Sequence, residues 1–230
     1  MANQDAPFGF RQVGGLGSRP TSEGTSKYVI ASGFADSIYS GDIVEFGAGT
    51  SENGTSIAAG YVGTAAETSS ARNVGIFNGC FYEDPTTAKP TWKNYWPASV
   101  AAEAQAFVYD NPDDLFEVQS SGTITRAKVG RAADMGYTAG STINGRSKEE
   151  LGTTVGAGLA LRVLRISEDP SNSDIANDNA NWIAHLSSNL PHMYYYQLDY
   201  LRLLESKYQR FVPHTIVVDY HNNTRLLFQS

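Results

Sequence analysis

Short runs of β-forming residues, each cut off within a few positions by glycine, proline or asparagine, recur through most of this 230-residue chain. Such runs cover 27–31, 42–46, 73–77, 79–82, 106–110, 115–119, 123–129 and 159–166. Gly33, Gly41, Gly47, Asn111-Pro112-Asp113-Asp114 and Ser120-Ser121-Gly122 supply the turns between several of them. A strand this short covers itself on one side at most, so it needs a second sheet or a closed sheet to hide its apolar face. The expected fold is mainly β, a β-barrel or β-sandwich, and a chain of this size hides roughly 70% of its unfolded surface without covalent staples.

Three stretches break the rhythm. Residues 1–27 hold the apolar knot Ala6-Pro7-Phe8-Gly9-Phe10-Arg11 and then Gly14-Gly15-Leu16-Gly17-Ser18-Arg19-Pro20, too rich in Gly and Pro for a helix. They read as an extended arm that lies on its own domain or orders on another subunit. Residues 82–97 carry Pro85, Pro90 and Pro97 with Trp92, Tyr95 and Trp96, which reads as a long loop pinned by aromatic side chains, followed by a brief helical turn over 98–104. From residue 169 a polar run, Asp169-Pro170-Ser171-Asn172-Ser173-Asp174 and Asn177-Asp178-Asn179, suggests a linker. Beyond it Tyr194, Leu198, Leu201, Leu204, Tyr208 and Phe211 recur at helical spacing, and 215–220 with 224–229 read as a closing hairpin. The expected division is therefore an arm over 1–27, an all-β core over 28–168, and a linker, amphipathic helix and hairpin over 169–230.

Composition narrows the function. A net charge of -7 argues against sequence-independent nucleic-acid binding, no apolar run is long enough for a membrane span, and Cys80 is a lone thiol that closes no disulfide. Eleven of the 17 basic residues are arginine and 13 residues are tyrosine, a bias in the direction of interfaces.

Chemistry finds little support. There is no Gly-x-Ser-x-Gly elbow. His185 with His192, and His214 with His221, lie seven apart with no Cys or carboxylate to complete a metal cluster. Gly14-Gly15-Leu16-Gly17 lacks the strand before it and the Lys-Ser or Lys-Thr after it that a phosphate loop needs. Asp110, Asp113 and Asp114 read as a turn rather than a calcium loop. The triplet Tyr194-Tyr195-Tyr196 reads as core or interface, and Cys80, between Gly79 and Phe81, as a small hydrophobe. Glu117 or Asp134 could serve a glycosidase as one of two carboxylates, yet nothing selects a pair. No catalytic residue, cofactor or metal is expected.

In their order along the chain, Asn3-Gln4-Asp5-Ala6-Pro7-Phe8-Gly9-Phe10-Arg11, Tyr28-Val29-Ile30-Ala31-Ser32-Gly33-Phe34-Ala35, Ile38-Tyr39-Ser40-Gly41-Asp42-Ile43-Val44, Val74-Gly75-Ile76-Phe77-Asn78-Gly79-Cys80-Phe81-Tyr82, Tyr95-Trp96-Pro97-Ala98, Phe116-Glu117-Val118-Gln119, Gly145-Arg146-Ser147 and Leu161-Arg162-Val163-Leu164 resemble the cement (decoration) proteins of tailed phages common among marine and cyanobacterial podoviruses. The resemblance spans roughly residues 2–186. It implies an all-β clamp on the outer surface of the virion, made in the host bacterial cytoplasm, whose partners are the major capsid protein and further copies of itself, a trimer by analogy. The expected contacts are Phe8, Phe10 and Arg11 of the arm, Trp92, Tyr95 and Trp96 of the loop, and Tyr194, Leu198, Leu201, Tyr208 and Phe211 of the helix. The alternative is a tail fibre or spike module binding host glycans through the tryptophan loop.

Overall fold

A computed structural model describes residues 3–18, 24–47, 50–51, 53–66, 72–157 and 159–186. By compactness the chain divides into two units, Met1–His192 and Met193–Ser230. The expected amphipathic helix, with Tyr194, Leu198, Leu201, Tyr208 and Phe211, and the closing hairpin lie outside the described residues.

Fourteen strands are described. The first seven are β1 (Arg11–Gly15), β2 (Ser26–Ile30), β3 (Ile38–Tyr39), β4 (Ile43–Phe46), β5 (Val62–Thr64), β6 (Asn73–Asp84) and β7 (Lys89–Lys93). The rest are β8 (Tyr95–Trp96), β9 (Ala104–Tyr109), β10 (Asp114–Gln119), β11 (Ala132–Gly136), β12 (Glu150–Val155), β13 (Leu161–Ile166) and β14 (Asn181–Leu186). One sheet has the order β1-β10-β14-β13-β11-β12; the second runs β2-β9-β6-β4-β5 with β7 also on β6; β3 and β8 make a two-stranded third. The mainly β expectation holds. Among the described residues no sheet closes on itself, so the arrangement is an open sandwich and the barrel alternative is dropped.

Two cores explain the layering. The first sheet contributes Phe116, Val118, Trp182 and Ala184 to a core that also takes Ile43 and Ile76 from the second sheet. On the other side of the second sheet Val44, Phe77, Cys80 and Val108 pack with Ile38 and Trp96 from the small sheet. Alternation does this: Ile43 and Val44, or Ile76 and Phe77, are neighbours on a strand and therefore point to opposite faces. Each such side chain, fully buried, contributes about 1.5–3 kcal/mol. Burial pushes the Cys80 thiol up to about 12, so it stays protonated and inert at neutral pH, as its sequence context suggested.

Several expectations are corrected. The runs 73–77 and 79–82 are one strand, β6, which shifts register between Phe77 and Gly79. The loop expected over 82–97 is the end of β6, a turn, β7 and β8: in the turn Asp84 Oδ1 accepts from the Thr86 and Thr87 N–H groups at 2.8 and 3.1 Å. Among the described residues β7 pairs only with β6, so Pro90 removes no hydrogen bond needed on a second side. The helical turn over 98–104 does not form, because Ala98 and Ser99 sit at φ 54 and 52, outside the right-handed helix, and Ser99 N–H donates to the Phe34 carbonyl at 2.7 Å. Over 123–129 only Ile124 is buried, and the chain makes a single 3-10 turn at Arg126–Lys128 in place of a strand.

Of the two alternatives for the arm, its described residues take the first and lie on their own domain, and the linker expected from 169 does not stand apart from the core either. Residues 3–6 run along the polar stretch: Asn3 Nδ2 donates to the Asp174 and Asp178 carbonyls, each at 2.8 Å. Gln4 N–H donates to Asn172 Oδ1 and Ala6 N–H to Gln119 Oε1, both at 2.9 Å. β1 then pairs with β10, and the polar stretch leads into β14, an interior strand between β10 and β13.

Candidate interaction surface

Phe8, Phe10 and Arg11 belong to a junction where four separate segments meet. Phe10 is only 4% exposed and joins the first core. Its N–H donates to the Gly41 carbonyl at 3.0 Å, Gly41 N–H to the Phe77 carbonyl at 2.8 Å, and Ser147 N–H to the Ser40 carbonyl at 3.0 Å. Gly9 adopts φ 74 with Ser147 packed where a Cβ would sit, so the position excludes side chains twice over. The Arg11 guanidinium lies 5.1 Å from the Phe8 ring centre and pairs with Glu117. Beneath Gly41, Asp42 is buried with its Oδ2 accepting from Tyr39 N–H at 2.7 Å, and burial pushes its carboxyl up to about 7. Ile43 N–H donates to the buried Glu149 Oε2 at 2.9 Å.

Trp92, Tyr95 and Trp96 separate. Trp96 is fully buried in the second core, its Nε1–H donating to the Phe34 carbonyl at 3.1 Å. Tyr95 stacks on Tyr39 with ring centres 5.9 Å apart. Trp92 faces water at 52% exposure, lying against Phe107 at 5.0 Å between ring centres. Gly79 makes that contact possible: it pairs with Phe107, and a Cβ there would come 2.7 Å from Trp92 Cζ2.

Trp92 is one member of a larger face. Register places Trp92 opposite Phe81, Phe81 opposite Gln105, and Gln105 opposite Val29, a row crossing β7, β6, β9 and β2. Beside it run Gly79, Phe107 and Lys27, with the Lys27 ammonium 5.8 Å from the Phe107 ring centre. Trp92, Phe81 and Val29 are among the exposed large hydrophobic side chains. This is the side of the second sheet that, nearer Ile43 and Ile76, is covered by the first core; toward Phe81 nothing among the described residues covers it.

The face runs on into a cleft of about 310 Å³ whose lining includes Arg11, Gln12, Asn78, Asn94, Tyr109 and Arg146. Tyr109 follows Phe107 on the same side of β9, and Asn94 lies two residues beyond Trp92. At the cleft rim a turn is tied at every step: Ser141 N–H to the Arg146 carbonyl at 2.9 Å, Gly145 N–H to the Ser141 carbonyl at 2.7 Å, and Asn94 Nδ2 to the Asn144 carbonyl at 2.6 Å. Its tip, Ile143, is 97% exposed.

The structure brings Phe8, Phe10 and Arg11 to the cleft and Trp92 to the face beside it, and buries Trp96. Sequence reading missed Phe81, Phe107, Ile143 and Arg146 as surface candidates; the alternation of Phe81 with the buried Cys80 and Tyr82 carried the signal for the first. The carboxylates weighed for hydrolysis are in structural use, Glu117 accepting from Arg11 and from Ser167 Oγ at 2.5 Å, Asp134 from Thr154 N–H at 3.0 Å. Among the described residues no group of three or more His, Cys, Asp or Glu is arranged to hold a metal, and no helix is long and apolar enough to cross a membrane. Comparison with protein-family models, curated proteins and solved structures finds no match to this chain.

Proposed function

We propose that this chain is a structural virion protein that binds the outer surface of a tailed-phage capsid and clamps neighbouring major capsid protein subunits, working as a homo-oligomer and without catalysis. The observation that carries this reading is the open apolar face of Trp92, Phe81, Phe107 and Val29 beside the two buried cores. A contiguous exposed apolar surface marks a place where another macromolecule sits. The ordered resemblance of the motifs to cement proteins supplies the partner. A clamp touching several subunits gains from effective concentration, so modest individual contacts suffice to hold a shell.

Cryo-electron microscopy of shells incubated with the purified chain tests this. Regular density on the outer shell between capsid subunits is the expected result, and density confined to the tail would replace the clamp with a fibre or receptor-binding role.

The second reading, a glycan-binding fibre or spike module, is favoured by one observation: the Trp92 indole is exposed and backed by Phe107, as a sugar-stacking ring needs to be. The other two tryptophans are buried, so sugar-dependent fluorescence would report on Trp92 alone, and saturable quenching by a host glycan would select this reading.

A further inference from the structure

Resting on the capsid reading, we infer that the cleft beside the aromatic face receives an acidic side chain of the capsid subunit, held by Arg146, with Ile143 seated on apolar surface next to it. The chain as a whole carries a net charge of -7, and an acidic partner surface is repelled by most of it. The cleft differs: two arginines, Arg11 and Arg146, and no carboxylate are among its lining residues. The Arg11 charge is already shared with Glu117 from below. Arg146 is exposed, and its guanidinium has no carboxylate partner among the described residues.

Its backbone is nonetheless fixed. Arg146 N–H donates to Asn144 Oδ1 at 3.0 Å and its carbonyl accepts from Ser141 at 2.9 Å, while Gly145, at φ 67, packs against the Asn94 side chain. A braced turn has no backbone left to order on pairing, and the planar guanidinium fork matches a carboxylate with two parallel hydrogen bonds, so less freedom is lost per bond formed. Asn78, Asn94 and Gln12 line the same cleft and offer amide groups around such a pair. Ile143, three residues before Arg146 and 97% exposed, contributes nothing to the chain's own core; against a partner it would shield the ion pair from water, which strengthens it. The occupant this chemistry selects is a protein surface bearing an Asp or Glu beside apolar residues.

Binding of the purified chain to phage shells that lack it, measured across a salt series, tests the assignment. Arg146→Gln is expected to weaken binding about tenfold or more and to flatten its salt dependence, with the urea unfolding midpoint unchanged. Arg146→Lys is expected to restore only part, because an ammonium cannot make the paired contact. Converting shell carboxylates to amides with carbodiimide and glycinamide should weaken the wild-type chain to the level of Arg146→Gln and leave that variant unaffected. Wild-type affinity and salt dependence in Arg146→Gln, or undiminished binding to amidated shells, would overturn the inference while leaving the capsid reading intact. A wild-type chain that does not bind untreated shells overturns the capsid reading, and this inference with it.

Discussion

The junction around Gly9, Phe10, Gly41 and Ser147 and the open face around Phe81, Trp92 and Phe107 lie on the same body and are written in the sequence in opposite ways. The junction is dense in short motifs, and its residues are held by backbone hydrogen bonds and a glycine at positive φ. The open face is set by alternation, with one residue in two turned outward. What the contrast teaches is that a memorable motif can mark a demanding backbone path, while a binding surface can be spread thinly over four strands.

Substitutions can break this comparison. Phe10→Ala should cost the most, about 3–5 kcal/mol of folding stability, because it strips a buried aromatic ring from the first core; urea unfolding of the purified chain measures it. A loss below 1 kcal/mol would mean that the N-terminal segment is not part of the folded core. Gly9→Ala should follow at about 2–4 kcal/mol, combining the positive φ with the overlap on Ser147.

A pH series sharpens the junction side. Asp42 holds its proton more tightly folded than unfolded, its carboxyl raised from 3.8 to about 7 by burial. The unfolded state therefore releases that proton first, and stability falls as pH rises from about 4 to about 7. Asp42→Asn keeps an oxygen for the Tyr39 N–H and should remove a slope on the order of a few kcal/mol, read as the difference in urea midpoint between pH 4.5 and pH 8. Asp114, pushed up to about 6 chiefly by burial, has the same sign, so a residual slope is expected. An unchanged slope in Asp42→Asn would assign the dependence to other carboxyls.

The smallest effect on folding belongs to the open face. Trp92→Ser should change stability by about 1 kcal/mol or less, yet it should lower occupancy on shells more than Phe10-type stability losses of equal size elsewhere would. If occupancy tracks folding stability alone across these variants, the face is not a contact surface.

Much of the sheet framework was legible. β2, β4, β9, β10 and β13 follow from short β-forming runs bounded by turn residues; burial of one face leaves alternation in β2 and β9, while β4, buried on both faces, is delimited by its turns alone. β7 was not, since its two flanking prolines point to a loop until the edge position that tolerates Pro90 is known. β14, an interior strand, follows a run of Asn, Asp and Ser that reads as linker; Asn172 binds the Gln4 backbone through both its amide oxygen and its amide nitrogen, and Asn181 binds Asn172 and Asp169, a use that composition does not reveal. The sequence places Trp92 and Trp96 together, as aromatic side chains of one loop. They are four apart, and a continuous strand would turn both the same way, but the chain passes from β7 to β8 at Asn94, and the two indoles end on opposite fates.

The length and placement of β6 have a mechanical consequence. Its first half lies between the two cores, pairing with β4, and its second half carries Phe81 outward between β7 and β9. A load applied near Phe81 along the strand runs down a single continuous backbone into the middle of the fold. There it meets hydrogen bonds lying across the pull, which must shear together and cannot peel one by one. A pull along β6 is thus resisted by the body of the protein, as a rod set deep in a wall resists a pull on its free end.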